Sequence, residues 1–169
     1  AQADALQQPN LARMPSFSWD ALFMRPVGEM LCDEIAIYRQ EFPMIAADLL
    51  TTWPDAPIIV EGAALLPECV APLIDPERAV WVVPSEAFLR RTYPQRGAWV
   101  QEILSQCSAP SEALARWMAR DTAFARWTAE QAQKRGLRVI VVDGSHTASE
   151  VGAQIEAYWQ PFLPASRGL

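Results

Sequence analysis

Apolar positions along the chain follow two distinct rhythms. Three runs are short and continuously apolar: Pro57-Ile58-Ile59-Val60-Glu61-Gly62, Ala79-Val80-Trp81-Val82-Val83 and Arg138-Val139-Ile140-Val141-Val142-Asp143-Gly144. Each ends on a turn former, which predicts a strand buried on both faces. Elsewhere the spacing is helical. Val27, Met30, Leu31, Ile35, Tyr38 and Phe42 predict one helix opened by Pro26, and a shorter helix through Ile45, Leu49 and Leu50 ends at Trp53-Pro54. A short helix is expected over 65–73, a Ser85-capped helix over 86–93, and a helical turn or two over 99–105. The longest helix runs from Ser111 to about Arg135, with Gly136 as its stop, and a last one covers 149–159 before Pro161 and Pro164. Residues 1–26, punctuated by Pro9, Pro15 and Pro26, read as irregular.

Strands separated by helices predict a mostly parallel sheet in a three-layer α/β/α domain spanning residues 1–169. Three strands make a narrow sheet for a chain of this length. The sequence also opens on Ala1 rather than Met, so a further upstream strand is expected.

Composition narrows the functional classes. The chain is 51% hydrophobic with a net charge of −6, which argues for a packed domain and against wholesale nucleic-acid binding. No apolar run reaches the roughly 20 residues that cross a bilayer. Cys32, Cys69 and Cys107 are dispersed and His146 is the only histidine, so free thiols in a reducing cytoplasm are expected, with no metal site of protein ligands. Lys134 is the only lysine among fourteen basic residues. That bias is explained by base composition of the genome and also by a use of Arg for bidentate grip on phosphate.

The strand exits carry the chemistry: Glu61-Gly62, Pro84-Ser85-Glu86 and Asp143-Gly144-Ser145. Taken singly each is an ordinary turn. Parallel strands place all three on one edge, where open α/β sheets bind ligands. Arg116 and Arg120 are four apart on the long helix and share a face, either solvated with Asp121 and Glu130 as ion-pair partners or turned to a phosphoryl group. Trp117, Phe124 and Trp127 read as core, Asp33-Glu34 as a solvated helix face, and Asp20 as a helix cap or a substrate contact. Ser145-His146 lacks the elbow context of a nucleophile and its base.

In this order, strand-Glu61-Gly62, strand-Val83-Pro84, Arg-rich helix, strand-Asp143-Gly144-Ser145, the chain resembles the later part of P-loop nucleoside and nucleotide kinases, above all uncharacterised bacterial ATP-binding proteins of that group. Residues 57–149 carry the resemblance. It implies that Glu61 lies near metal and acceptor, and that Arg116, Arg120 and Arg126 belong to a lid within 111–136. It further implies that Asp143, Gly144 and Ser145 line the nucleotide base, with Arg25 and Asp20 touching the acceptor. ATP and Mg²⁺ are the implied cofactors, and a small hydroxyl compound the implied acceptor.

The departure is the phosphate loop. No G-x-x-x-x-G-K-S/T pattern occurs, so the backbone cradle for phosphates is missing from these residues. The expectation is a kinase-like protein without its first strand and phosphate loop, inactive in this form. The competing expectation is a non-catalytic binding or interaction module of the same descent.

Overall fold

The computed structural model describes residues 4–52 and 58–163. Helices dominate. In chain order they are α1 (Pro9–Arg13), α2 (Trp19–Phe23), α3 (Val27–Thr52), α4 (Pro67–Val70), α5 (Glu86–Thr92), α6 (Ala98–Leu104), α7 (Pro110–Lys134) and α8 (Ala148–Trp159). Two strands, β1 (Val80–Pro84) and β2 (Arg138–Val142), pair in parallel, with Val82 opposite Ile140. A mostly helical protein with one two-stranded sheet replaces the expected three-layer α/β/α fold with its broad parallel sheet.

The missing strand falls on residues 58–60, which form no regular element and pair with nothing among the described residues. Ile59 is 73% exposed, the opposite of the burial expected for it. Apolar, β-branched composition favours extension, but a strand exists only against a neighbour's backbone, and β2 is the only neighbour β1 has there. The rest of that expected strand, residue 57, lies outside the described residues, as do 53–56 of the turn before it.

α7 organises the molecule. At 25 residues it is about 37 Å long and reaches two separate cores. Around its first half pack Phe23, Leu89, Tyr93, Val100, Leu104 and Cys107, closed by Ala113 and Trp117 of α7 itself. Trp117 is the hub: it stacks on Phe23 at 4.5 Å between ring centroids and meets Tyr93 and Trp99 edge-on at 5.9 and 5.8 Å. Near its far end Ala132 packs with Leu137, Ala79 and Trp81, the last donating its indole N–H to Leu65 O at 2.9 Å. Behind β2, the Arg138 guanidinium lies 4.7 Å from the ring centre of Tyr158 on α8.

Two local expectations give way to packing. α3 continues through Pro43, where the pattern had predicted a break. One backbone hydrogen bond is lost there. The helix is held ahead of the proline, since Gln40 accepts from the amides of Asn10 and Leu11 at 2.9 and 3.1 Å and Ile35 is buried further back. The segment read as irregular contains α1 and α2. Pro9 opens α1 rather than interrupting it, because an N–H in the first turn has no helical partner to lose.

Ser85 is placed as expected. Its hydroxyl accepts from Phe88 N at 3.2 Å while its amide donates to Val142 O at 2.9 Å, so it both caps α5 and extends the β1–β2 ladder. Only the first role needs the side chain. Ser85→Ala is expected to lower the stability by about 1 kcal/mol and Ser85→Gly by only a few tenths, read from thermal unfolding of the two variants. No helix among the described residues is long and apolar enough to cross a membrane.

Candidate functional site

β1 and β2 end side by side. The carboxyl end of β2, its exit turn and α8 line a pocket of about 140 Å³, to which β1 contributes no residue. Its walls are apolar, from Ile140, Val142 and Val151. Its rim is polar, from Asp143, Ser145, His146 and Gln154. At this size it fits one small ring rather than a whole drug-sized ligand, which needs at least about 300 Å³.

The rim is built by a tight turn. The Asp143 carboxylate accepts from Ser145 N at 2.8 Å and from Ser145 Oγ at 2.6 Å. These bonds, the hydroxyl first, hold its carboxyl below the usual carboxylate range. Gly144 between them has φ +89°, and a Cβ there would run into the guanidinium of Arg91 and the ring of Phe88. Glycine is therefore required twice, for the backbone and for the close approach. Ser145 Oγ also lies 2.9 Å from His146 Nδ1. The single Ser145 proton goes to the carboxylate, which can only accept, so Nδ1 carries its own proton and donates. This polarity is the reverse of a histidine base activating a serine. Beyond the turn, Thr147 and Glu150 form a reciprocal capping box that starts α8, and the Thr147 backbone amide, ahead of the Thr147 hydroxyl, lowers the Glu150 carboxyl.

Arg91 is the residue that sequence reasoning missed. Its Nη2 donates to Asp143 O at 3.0 Å and its guanidinium lies over the Phe88 ring at 5.4 Å. No carboxylate pairs with it among the described residues. A signal existed: Arg90 has Glu86 four residues earlier and forms that ion pair at 2.8 Å, whereas the same position relative to Arg91 is Ala87. An arginine without an acid on its own helix, on the helix that follows a strand exit, was visible as a candidate.

The other expected site residues are dispersed. Asp143, Gly144 and Ser145 line the pocket together; Glu61 is exposed in an irregular segment and is not among its lining residues. Arg126 is exposed, with no hydrogen-bond or ion-pair partner among the described residues. Arg116 pairs with Glu112 at 2.7 Å and donates to Arg25 O at 2.9 Å. Arg25 itself pairs with Asp33 at 2.7 Å. Asp20 sits in the first turn of α2, where Ser18 is the cap, and its carboxylate accepts from Ser108 N at 2.9 Å. Arg120 is only 19% exposed and faces Asp121 and Glu34 between α3 and α7, so Glu34 is no solvated helix face. No group of three or more His, Cys, Asp or Glu side chains suited to a metal ion occurs among the described residues. Neither a protein-family model, nor a curated protein, nor a solved structure matches the chain.

Proposed function

We propose that this protein binds a nucleotide-type small molecule at the carboxyl end of β2. The observation that carries the reading is a pocket lined by both apolar and polar side chains, with an arginine beside it, outside the lining itself but bonded to Asp143 O, that no carboxylate neutralises among the described residues. The apolar walls suit the faces of a planar base. Asp143, Ser145 and Gln154 suit its hydrogen-bonding edge. Arg91, fixed in direction by the Asp143 carbonyl and the Phe88 ring, supplies a cation for phosphate. Magnesium would arrive on the phosphates, as it commonly does.

The reading is one of binding rather than of phosphoryl transfer. Transfer needs a backbone cradle for the phosphates and groups aimed at the charge that develops. No phosphate-loop pattern is present in the sequence, and Arg116 and Arg120 are occupied by Glu112 and by Asp121 with Glu34. The three cysteines are unbridged, which fits the reducing cytoplasm proposed as its compartment.

Titration calorimetry with ATP, ADP and AMP, with and without Mg²⁺, tests the proposal. Saturable binding in the micromolar to millimolar range is expected, with Arg91→Ala weakening the phosphate-bearing ligands about tenfold. Absence of heat with every nucleotide at millimolar concentration, or an unchanged affinity in Arg91→Ala, would remove it.

A further inference from the structure

Between α3 and α7 lies a group of charges with no part in the proposed ligand site. Glu34 and Tyr38 come from α3, one turn apart; Arg120 and Asp121 come from α7. Arg120 Nε and Nη2 both donate to Asp121 Oδ1, at 3.0 and 2.6 Å. Arg120 Nε is also 3.2 Å from Glu34 Oε2, but its one proton is directed at Asp121. Glu34 Oε2 is therefore removed from water with no hydrogen bond at all, while Oε1 accepts from the Tyr38 hydroxyl at 3.3 Å. The side chains of Arg120, Glu34 and Asp121 are 19%, 14% and 21% exposed. Aromatic rings close the site: the Arg120 guanidinium lies 5.8 Å from the centre of Phe23 on α2, and Tyr38 packs on Phe124 at 5.4 Å.

The charges do not balance. One guanidinium faces two carboxylates, so full ionisation leaves an uncompensated negative charge out of water. Neighbouring elements do not correct it. Arg25 and Arg13 are engaged with Asp33, Arg116 with Glu112, Arg39 with Glu68 on α4, and Asp20 of α2 with the Ser108 amide. Tyr38 donates a neutral hydroxyl that burial keeps protonated. Two carboxylates facing one guanidinium, one of them with an orphaned oxygen, form a coupled pair that takes up a proton jointly.

We propose that Glu34 and Asp121 share one proton across Arg120, making the α3–α7 interface a latch that closes while the proton is held and loosens when it passes to solvent. Burial, and after it the Glu34 charge, pushes Asp121 up to about 8; burial also raises Glu34, against the pull of Arg120. The closed interface thus binds a proton that the opened one releases. Its stability is complete below the ordinary carboxylate range and is lost as pH rises, until the proton has gone at about 8. α1 is tied to α3 through Gln40 and is expected to move with it.

Two measurements on the intact chain decide the matter. In hydrogen exchange corrected for intrinsic rate, the opening equilibrium of α3 and α1 amides is expected to grow about tenfold per pH unit between roughly pH 6 and 8 and then to level off. Glu34→Gln and Asp121→Asn, each leaving one carboxylate for Arg120, are expected to flatten that slope. Infrared spectra of the unaltered protein should show a protonated-carboxyl band at neutral pH that disappears as pH passes about 8. The band serves even if both variants fail to fold. Absence of the band, a flat exchange profile, a slope spread evenly over the whole chain, or a slope kept by a folded variant would each overturn the proposal.

Discussion

Replacing Trp117 by Ala is expected to lower the stability by about 3–5 kcal/mol, the range for an aromatic removed from a packed interior. Trp117 is 6% exposed and is the one ring in contact with Phe23 of α2, Tyr93 after α5 and Trp99 of α6. Removing it leaves three elements packed around a void that Ala113 and Leu104 are too small to fill. With a urea dependence of roughly 2 kcal/mol per M, the unfolding midpoint falls by roughly 2 M, followed by far-ultraviolet circular dichroism. Trp99→Ala is the control. It truncates a ring that is 47% exposed and touches the same neighbour, so its loss should be well under half as large. Equal losses would mean that Trp117 is not the centre of that core.

The aromatic core was legible because its cause is local. Trp117, Phe124 and Trp127 recur at helical spacing, but only Trp117 joins the buried core, while Phe124 and Trp127 are half-buried and stack on each other. Both paired strands were legible as strands from their continuous apolar runs, but not as strands buried on both faces, since Val82 is 44% and Val141 57% exposed. Residues 58–60 carry the same pattern and remain unpaired, because a strand is a relation between two segments and its own composition holds only one of them. The division of residues 27–52 into two helices erred in the other direction: the cost of Pro43 is local, but the contacts that outweigh it come from elsewhere in the fold. The site divides in a similar way. Asp143, Gly144 and Ser145 were found by position at a strand exit. Arg91 becomes significant only when Asp143, more than fifty residues later, returns beside it. Glu34 looked like one more acid on a solvated face until α7 was laid over it.

Arg120→Ala separates the two roles open to that arginine. If Arg120 were free to close on a phosphate, as the kinase resemblance implies, its removal would leave folding almost untouched and weaken only the ligand. The geometry predicts the reverse. Among the described residues Arg120 is the only cation paired with Asp121 and Glu34, and both carboxylates stay buried when it is gone. Removing one partner of a buried ion pair costs about 3–5 kcal/mol, because the charge left behind has neither water nor counter-ion. The cost should depend on pH. Without the cation both carboxyls favour their neutral forms in the folded state, so that state holds protons the unfolded chain releases, and stability falls as pH rises above the ordinary carboxylate range. Urea midpoints are therefore expected to differ little between Arg120→Ala and the unaltered protein near pH 4 and most near pH 7. Arg126→Ala, on the same helix but exposed and unpaired among the described residues, should change the midpoint by no more than about 0.5 kcal/mol equivalent. A pH-independent deficit, or one as small as that of Arg126→Ala, would show that Arg120 does not hold α3 to α7. The guanidinium would then be available to a ligand after all.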